Sequence, residues 1–390
     1  MNASKTVQPG IKHAANISLR IGIAGLAGTL LGAMGNMSQF YQSYLQAYIF
    51  WSGISIGSLA ALMIHHLAGG GWGFVTQRIL EASVKTLPLV ALLFIPIILG
   101  MDKLYHHWLH PEAIHVALIE LKSLYLNKNA FIIRTVIYFV IWIGMGTWLC
   151  KWSTKQDETG DKTLNRPMRK LSGIGIVIYG LTATAASWDW TMSLEPTWFS
   201  SIWGPLFMVG QGLSTFAFSI IVLSKLAKHN PLAKVIKSAH FHDLGNLTFA
   251  FVILWTYMTF GQFIIIWSGN LPEEIIWYLD RTPTGWKVVA ILLTVFHFLL
   301  PFLLLLSRLT KLKAQYLAKI ALFVLLIRLV DNFWVIAPTF QDGVNIHLLD
   351  FTTPLAIGGL WMFVFLKFLP KHSLIPLHDP RFKVEEDPHD

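Results

Sequence analysis

The stretch LSGIGIVIYGLTATAASWDWTMSLEPTWFSSIWGPLFMVGQGLSTFAFSIIVLSK (Leu171–Lys225) holds two apolar runs around an acidic, tryptophan-rich hinge. Each run, 171–190 and 202–225, is long enough to cross about 30 Å of hydrocarbon as a helix. The hinge Ser187–Gly204 sets Asp189 and Glu195 among Trp188, Trp190, Trp198 and Trp203. Indole rings favour the water–lipid boundary, whereas a carboxylate close to hydrocarbon needs a partner or a proton. Asp189 and Glu195 are therefore functional candidates. The plainer reading of the same residues is a connecting loop wearing an aromatic belt.

Comparable runs lie on both sides of this hairpin, at roughly 17–37, 45–68, 84–101, 130–151, 243–268, 286–307, 316–337 and 347–369, giving ten spans in all. With 54% hydrophobic and 13% charged residues over 390 positions, the chain is too apolar for a soluble globule. It reads as an all-α polytopic membrane protein. The first run follows Lys5, Lys12 and Arg20 but has no small-residue cleavage site, so we expect an uncleaved helix.

The net charge of +9 is distributed as a topology signal and not as a nucleic-acid footprint. Of the 30 lysines and arginines, 23 fall on the side of the N-terminus and 5 on the other, with Arg134 and Arg328 inside spans. That bias places both termini in the cytoplasm and the acidic hinge outside, in the periplasm if the membrane is a bacterial inner membrane.

Cys150 is the single cysteine, which excludes an internal disulfide, an all-cysteine iron–sulfur site and a c-type haem motif supplied by this chain alone. Gly69–Gly73 (GGGWG) lacks the Lys-Ser/Thr of a phosphate loop and reads as a helix-terminating turn. His65, His66, His240 and His242 lie near the cytoplasmic side and only His297 is deep, so no facing pair for a haem b is expected. His106, His107, His110 and His115 sit in an outer loop whose segment 113–126 has the apolar spacing of an interfacial helix; it lacks a recognisable metal-ligand spacing.

Span 9 contains the costliest residues. In LLIRLVDNFW, Arg328 and Asp331 stand three apart on one helix face. A charge at mid-membrane costs roughly 2.5–3.5 kcal/mol on the insertion scale, so the pair should face the bundle interior. It serves either as a structural lock or as part of a proton relay with His297 and the outward carboxylates Asp102, Asp189, Glu195 and Asp350.

The hinge Ser187–Gly204, the string Asp243-Leu-Gly-Asn246 and the segment WSGNLPEEIIWY (Trp267–Tyr278) together closely resemble the F subunit of bacterial alternative complex III, a relative of polysulfide-reductase membrane subunits. The resemblance runs over nearly the whole chain. It implies two four-helix bundles, 45–190 and 202–337, with a peripheral helix at each end, 17–37 and 347–369, and a cytoplasmic tail 371–390. It also implies membership of a quinol:cytochrome c or quinol:oxidase oxidoreductase in which this subunit has no redox centre of its own and is suspected of conducting protons. Iron–sulfur clusters and haem c would reside on partners: an iron–sulfur subunit, multihaem cytochrome c subunits and a paralogous ten-span subunit, with a terminal oxidase downstream. A quinone site on this chain is a weaker implication. Two alternatives stay open, a secondary transporter using the prolines Pro88, Pro96 and Pro301 as helix breaks, and a purely structural scaffold of the same complex.

The charge bias makes a direct prediction. Reporter fusions at Lys155 and at the C-terminus should score cytoplasmic and one at Thr197 periplasmic; a periplasmic C-terminus would overturn the ten-span reading.

Overall fold

In lipid no water is present to hydrogen-bond the backbone, so a chain of this composition must satisfy its amides inside helices. The structure, a computed structural model, describes residues 4–111, 120–229, 232–282, 285–369, 374–376 and 379, and among these it is helical with no strand. Ten helices are long and apolar enough to cross a membrane: α1 (Gln8–Gly35), α2 (Met37–Ala68), α3 (Gly71–Leu99), α4 (Lys128–Thr159), α5 (Lys162–Leu194), α6 (Trp203–Leu226), α7 (Ser238–Gly269), α8 (Trp286–Leu306), α9 (Ala314–Thr339) and α10 (Leu349–Phe368). An even number of crossings puts the start of α1 and the end of α10 on one face, here called proximal; the hinge lies on the distal face. Half of the interfacial segment expected at 113–126, residues 113–119 with His115, and most of the tail 371–390 lie outside the described residues.

The helices pack as two rings, α2–α3–α4–α5 and α6–α7–α8–α9, joined where α2 meets α6, with α5 against α6 and α9 against α2. Exchanging α2 with α6 and α5 with α9 maps these junction contacts onto themselves. Both rings begin at the distal face, so corresponding helices of the two rings cross the membrane in the same direction. The helices at the chain ends pair with one another on one flank. Gly22 and Gly25 let the α1 backbone meet α10 so closely that a Cβ at Gly25 would lie 2.5 Å from the Ala356 amide nitrogen. Small residues are what permit helix backbones to approach in lipid.

The expected third span, 84–101, is corrected at its start: the helix begins at Gly71. Arg78 and Glu81 therefore lie on a helix and not in a loop. The hydropathy pattern hid this because both charges are buried in protein, Arg78 at 4% and Glu81 at 2% exposure. The same helix is interrupted near Pro88 and Pro96, which cannot donate to the preceding turn. Hydroxyls from α2 serve the carbonyls around these breaks: Tyr48 donates to Val90 O at 3.1 Å and Tyr44 to Leu93 O at 2.8 Å. In α8, Pro301 follows a π-helical segment, Thr294–Leu299, which carries His297.

Removing such a hydroxyl leaves a buried carbonyl with one partner fewer. Tyr48→Phe should lower the stability of the purified chain by about 1–2 kcal/mol, read as an earlier thermal transition, without altering its helix content.

Candidate functional site

The site is built around α9. Arg328 Nη1 donates to Asp331 Oδ2, and Nη2 reaches Asn332 Oδ1 at 3.5 Å. Asp331 is 4% exposed. A charged pair in this setting requires room for the planar guanidinium, and α6 provides it at Gly210, where a Cβ would stand 2.3 Å from Arg328 Nη2. Trp255 of α7 borders the same cavity as Asp331, and its ring meets the His297 ring edge-on with centroids 4.0 Å apart. His297 is fully buried, lies within electrostatic reach of Arg328, and has neither ring nitrogen hydrogen-bonded among the described residues.

On the distal side of this pair lies a cavity of about 50 Å³, bordered by Arg328, Asp331, Asn332, Gln262, Thr259 and Thr191 and closed by Trp203, Trp277 and Trp334. A water needs some 10–15 Å³ measured this way together with several polar partners, so the space has room for a few waters. Its walls offer those partners. Thr259 Oγ1, Trp334 Nε1 and Arg328 Nε are buried polar atoms with no hydrogen-bond partner among the described residues. The cavity thus joins Asp331 to the aromatic layer of the hinge.

That layer is held by Arg281, which follows the short helix Pro272–Leu279. Its guanidinium lies over the Trp277 ring at 3.7 Å and donates to Trp277 O at 2.9 Å, to Val335 O at 2.8 Å and to Glu195 Oε1 at 2.9 Å. Thr339 donates to the same carboxylate oxygen at 2.8 Å. Burial pulls the Arg281 guanidinium below its ordinary pKa while Glu195 pulls it back. Burial, and then the charge of Glu195, pushes the neighbouring Asp280 upward. Glu195 belongs to this cap and not to the pair on α9.

The remaining expected relay residues are distributed elsewhere. Asp189, fully buried at the end of α5, receives two bonds from Arg134 of α4 at 3.0 and 2.7 Å and one from Tyr138 at 2.8 Å. Tyr125, beside it, is pushed up to about 12 by burial and by Asp189. Asp350 accepts from Ser43 at 2.5 Å and from the His347 amide at 2.8 Å, tying the start of α10 to α2. Asp102 is exposed and stands 3.9 Å from His110. The expected single cluster therefore separates into an α9 pair with His297, a capped Glu195, two independent anchors at Asp189 and Asp350, and an exposed Asp102. Among the described residues no three His, Cys, Asp or Glu side chains converge as a metal-binding group.

Two features escaped sequence reasoning. Glu81 accepts from Ser153 at 2.6 Å, Gln77 at 3.0 Å and Arg78 at 2.6 Å, and Arg78 also contacts Asp157, which links α3 to α4 near the proximal face. The i,i+3 spacing of Arg78 and Glu81 repeats that of Arg328 and Asp331 and could have drawn attention to them. The contribution of α7, through Trp255, Thr259 and Gln262, had no comparable signal.

No family model and no curated protein matches the chain.

The pairing on α9 has a stability consequence. Arg328→Met alone leaves a buried carboxylate without its counter-charge and should destabilise the chain by about 3–5 kcal/mol, whereas Arg328→Met with Asp331→Leu should recover most of that loss. Thermal unfolding of the purified variants in detergent checks it; equal losses in both would show that the pair is not energetically coupled.

Proposed function

We propose that this chain is a membrane subunit, without a redox centre of its own, of a bacterial quinol-oxidising respiratory complex of the alternative complex III type, and that its part is to carry protons through Asp331. The observation that carries the proton reading is the buried Arg328–Asp331 pair bordering a largely apolar cavity, with Thr191, Thr259 and Gln262 in its wall, that points to the distal face. The identity of the complex rests on the sequence resemblance alone. Its partners on this reading are the iron–sulfur, multihaem cytochrome c and paralogous ten-span subunits, with both termini of this chain in the cytoplasm.

The chemistry follows from the arrangement. Asp331 exists either as a carboxylate balanced by Arg328 or as a carboxylic acid that leaves the guanidinium to Asn332 and the cavity. A proton arriving from the cavity forms the O–H bond at Asp331; its departure restores the ion pair. His297, packed on Trp255 beside the pair, is a second base within the same environment. A proton crossing the whole membrane against 100 mV needs about 2.3 kcal/mol, which quinol oxidation in the partner subunits would supply.

The π-helical turn at His297 and the proline breaks in α3 also suit a secondary transporter, whose sites are built on interrupted helices. Reconstitution separates the two readings. Complexes purified on this chain should contain the redox subunits, and those carrying Asp331→Asn should assemble yet move fewer protons per electron. An unchanged proton-to-electron ratio in assembled Asp331→Asn complexes removes the conducting role; solute uptake by the chain alone in liposomes would establish the transporter.

A further inference from the structure

The distal cavity accounts for one side of Asp331 only, and a conductor needs a second opening. The guanidinium of Arg328 lies against Gly210, and the next residue of α6, Gln211, begins a polar row. Gln211, Thr215 and Ser219 recur every four residues on one face of α6 and cover about 12 Å toward the proximal face. All three are buried, as is Ser58 on the facing helix α2. Gly57 brings the two helices together here: a Cβ on it would lie 2.5 Å from Thr215 Oγ1 and 2.7 Å from Gln211 O. Thr215 donates to Ile54 O at 3.2 Å, and Tyr179 of α5 donates to Gln211 Oε1 at 2.7 Å. Ser58 and Ser219 stand one turn farther along their helices from this Ile54–Thr215 contact.

Within this seam Gln211 Nε2, Ser58 Oγ and Ser219 Oγ have no hydrogen-bond partner among the described residues. Buried polar groups are nearly always paired with protein or ordered water, and apolar side chains would pack between two helices without any such requirement. The seam then leads to the last turn of α2, where His65 and His66 are fully buried and His65 packs against Trp72 and Phe74. The Arg78–Glu81–Asp157 network is a poorer candidate for the same task, because its carboxylates are already engaged and it sits between α3 and α4.

We propose that the α2–α6 seam is the proximal half of the route to Asp331, a narrow file of water running past Ser58, Ser219, Thr215 and Gln211. The proposal rests on the proton-conducting reading. Each water or hydroxyl in the file accepts one proton from its neighbour and releases another to the next. The net result is one proton gained at Asp331 and one lost at the proximal face, or the reverse.

Water access can be tested without measuring conduction. In a Cys150→Ser background, Ser219→Cys and Ser58→Cys are introduced separately into the full chain within its native membranes, with Ala217→Cys on an apolar face of α6 as the control. Silver ion, small enough for a single file of water, is applied from the proximal side, and protection from later maleimide labelling in denaturant is read by mass spectrometry. The expected result is protection of Ser219→Cys and Ser58→Cys about tenfold faster than of Ala217→Cys. Equal, slow protection at all three positions overturns the seam, even if Asp331→Asn lowers the proton-to-electron ratio. Fast protection at the two serine positions with an unchanged ratio in Asp331→Asn supports the wet seam and rejects the conducting role instead. Gln211→Leu, which keeps volume and removes the amide, should reduce the ratio in the same direction as Asp331→Asn; full retention of the ratio counts against the seam.

Discussion

A carboxylate inside a lipid-embedded bundle is held there by what surrounds it, and at Asp331 that is Arg328, whose guanidinium also reaches Asn332. The surrounding architecture follows from accommodating this group. Gly210 gives the guanidinium its place on α6, and α7 and α9 frame the cavity on the distal side. The aromatic layer that seals the cavity is fixed by Arg281, itself buried and neutralised by Glu195. A buried ion pair is weak evidence for stability, since well-packed apolar residues often do as well. Retaining one beside a cavity therefore directs attention to what the cavity does.

The other charged groups show how a membrane protein uses ionic contacts as joints. Arg134 grips Asp189 with two bonds and ties α4 to α5. Asp350 caps α10 and binds Ser43 of α2, and Glu81 gathers α3 and α4. Each of these carboxylates is already engaged by partners on a neighbouring helix. The pair on α9 adjoins a cavity, which is the physical distinction between an anchor and a candidate carrier.

The helices were legible because hydrocarbon imposes a minimum apolar length, and the pairing of Arg328 with Asp331 was legible because an i,i+3 charge pair in an apolar run has few other solutions. The start of α3 was not legible. Arg78 and Glu81 lower the local hydropathy just as a loop would, and only packing reveals that Ser153 and Gln77 receive them. Glu195 and Asp331 looked like members of one relay because both sit toward the same face, yet Arg281, distant in sequence, captures Glu195. Long-range partners of that kind leave no local pattern. The polar row Gln211, Thr215 and Ser219 was written openly at helical spacing, but its meaning depended on knowing that α2 faces it with Gly57 and Ser58.

The pairing of α1 with α10 bears on the order in which the protein comes into being. Once α1 has left the ribosome, its backbone partner α10 still lies more than 300 residues later in the chain. At roughly 5–20 residues per second, that interval lasts some tens of seconds. Throughout it the glycine face of α1 has lipid, an insertion factor or another polypeptide as its neighbour. α10 then completes the seat of α1, and this flank of the molecule closes only once α10 has been made.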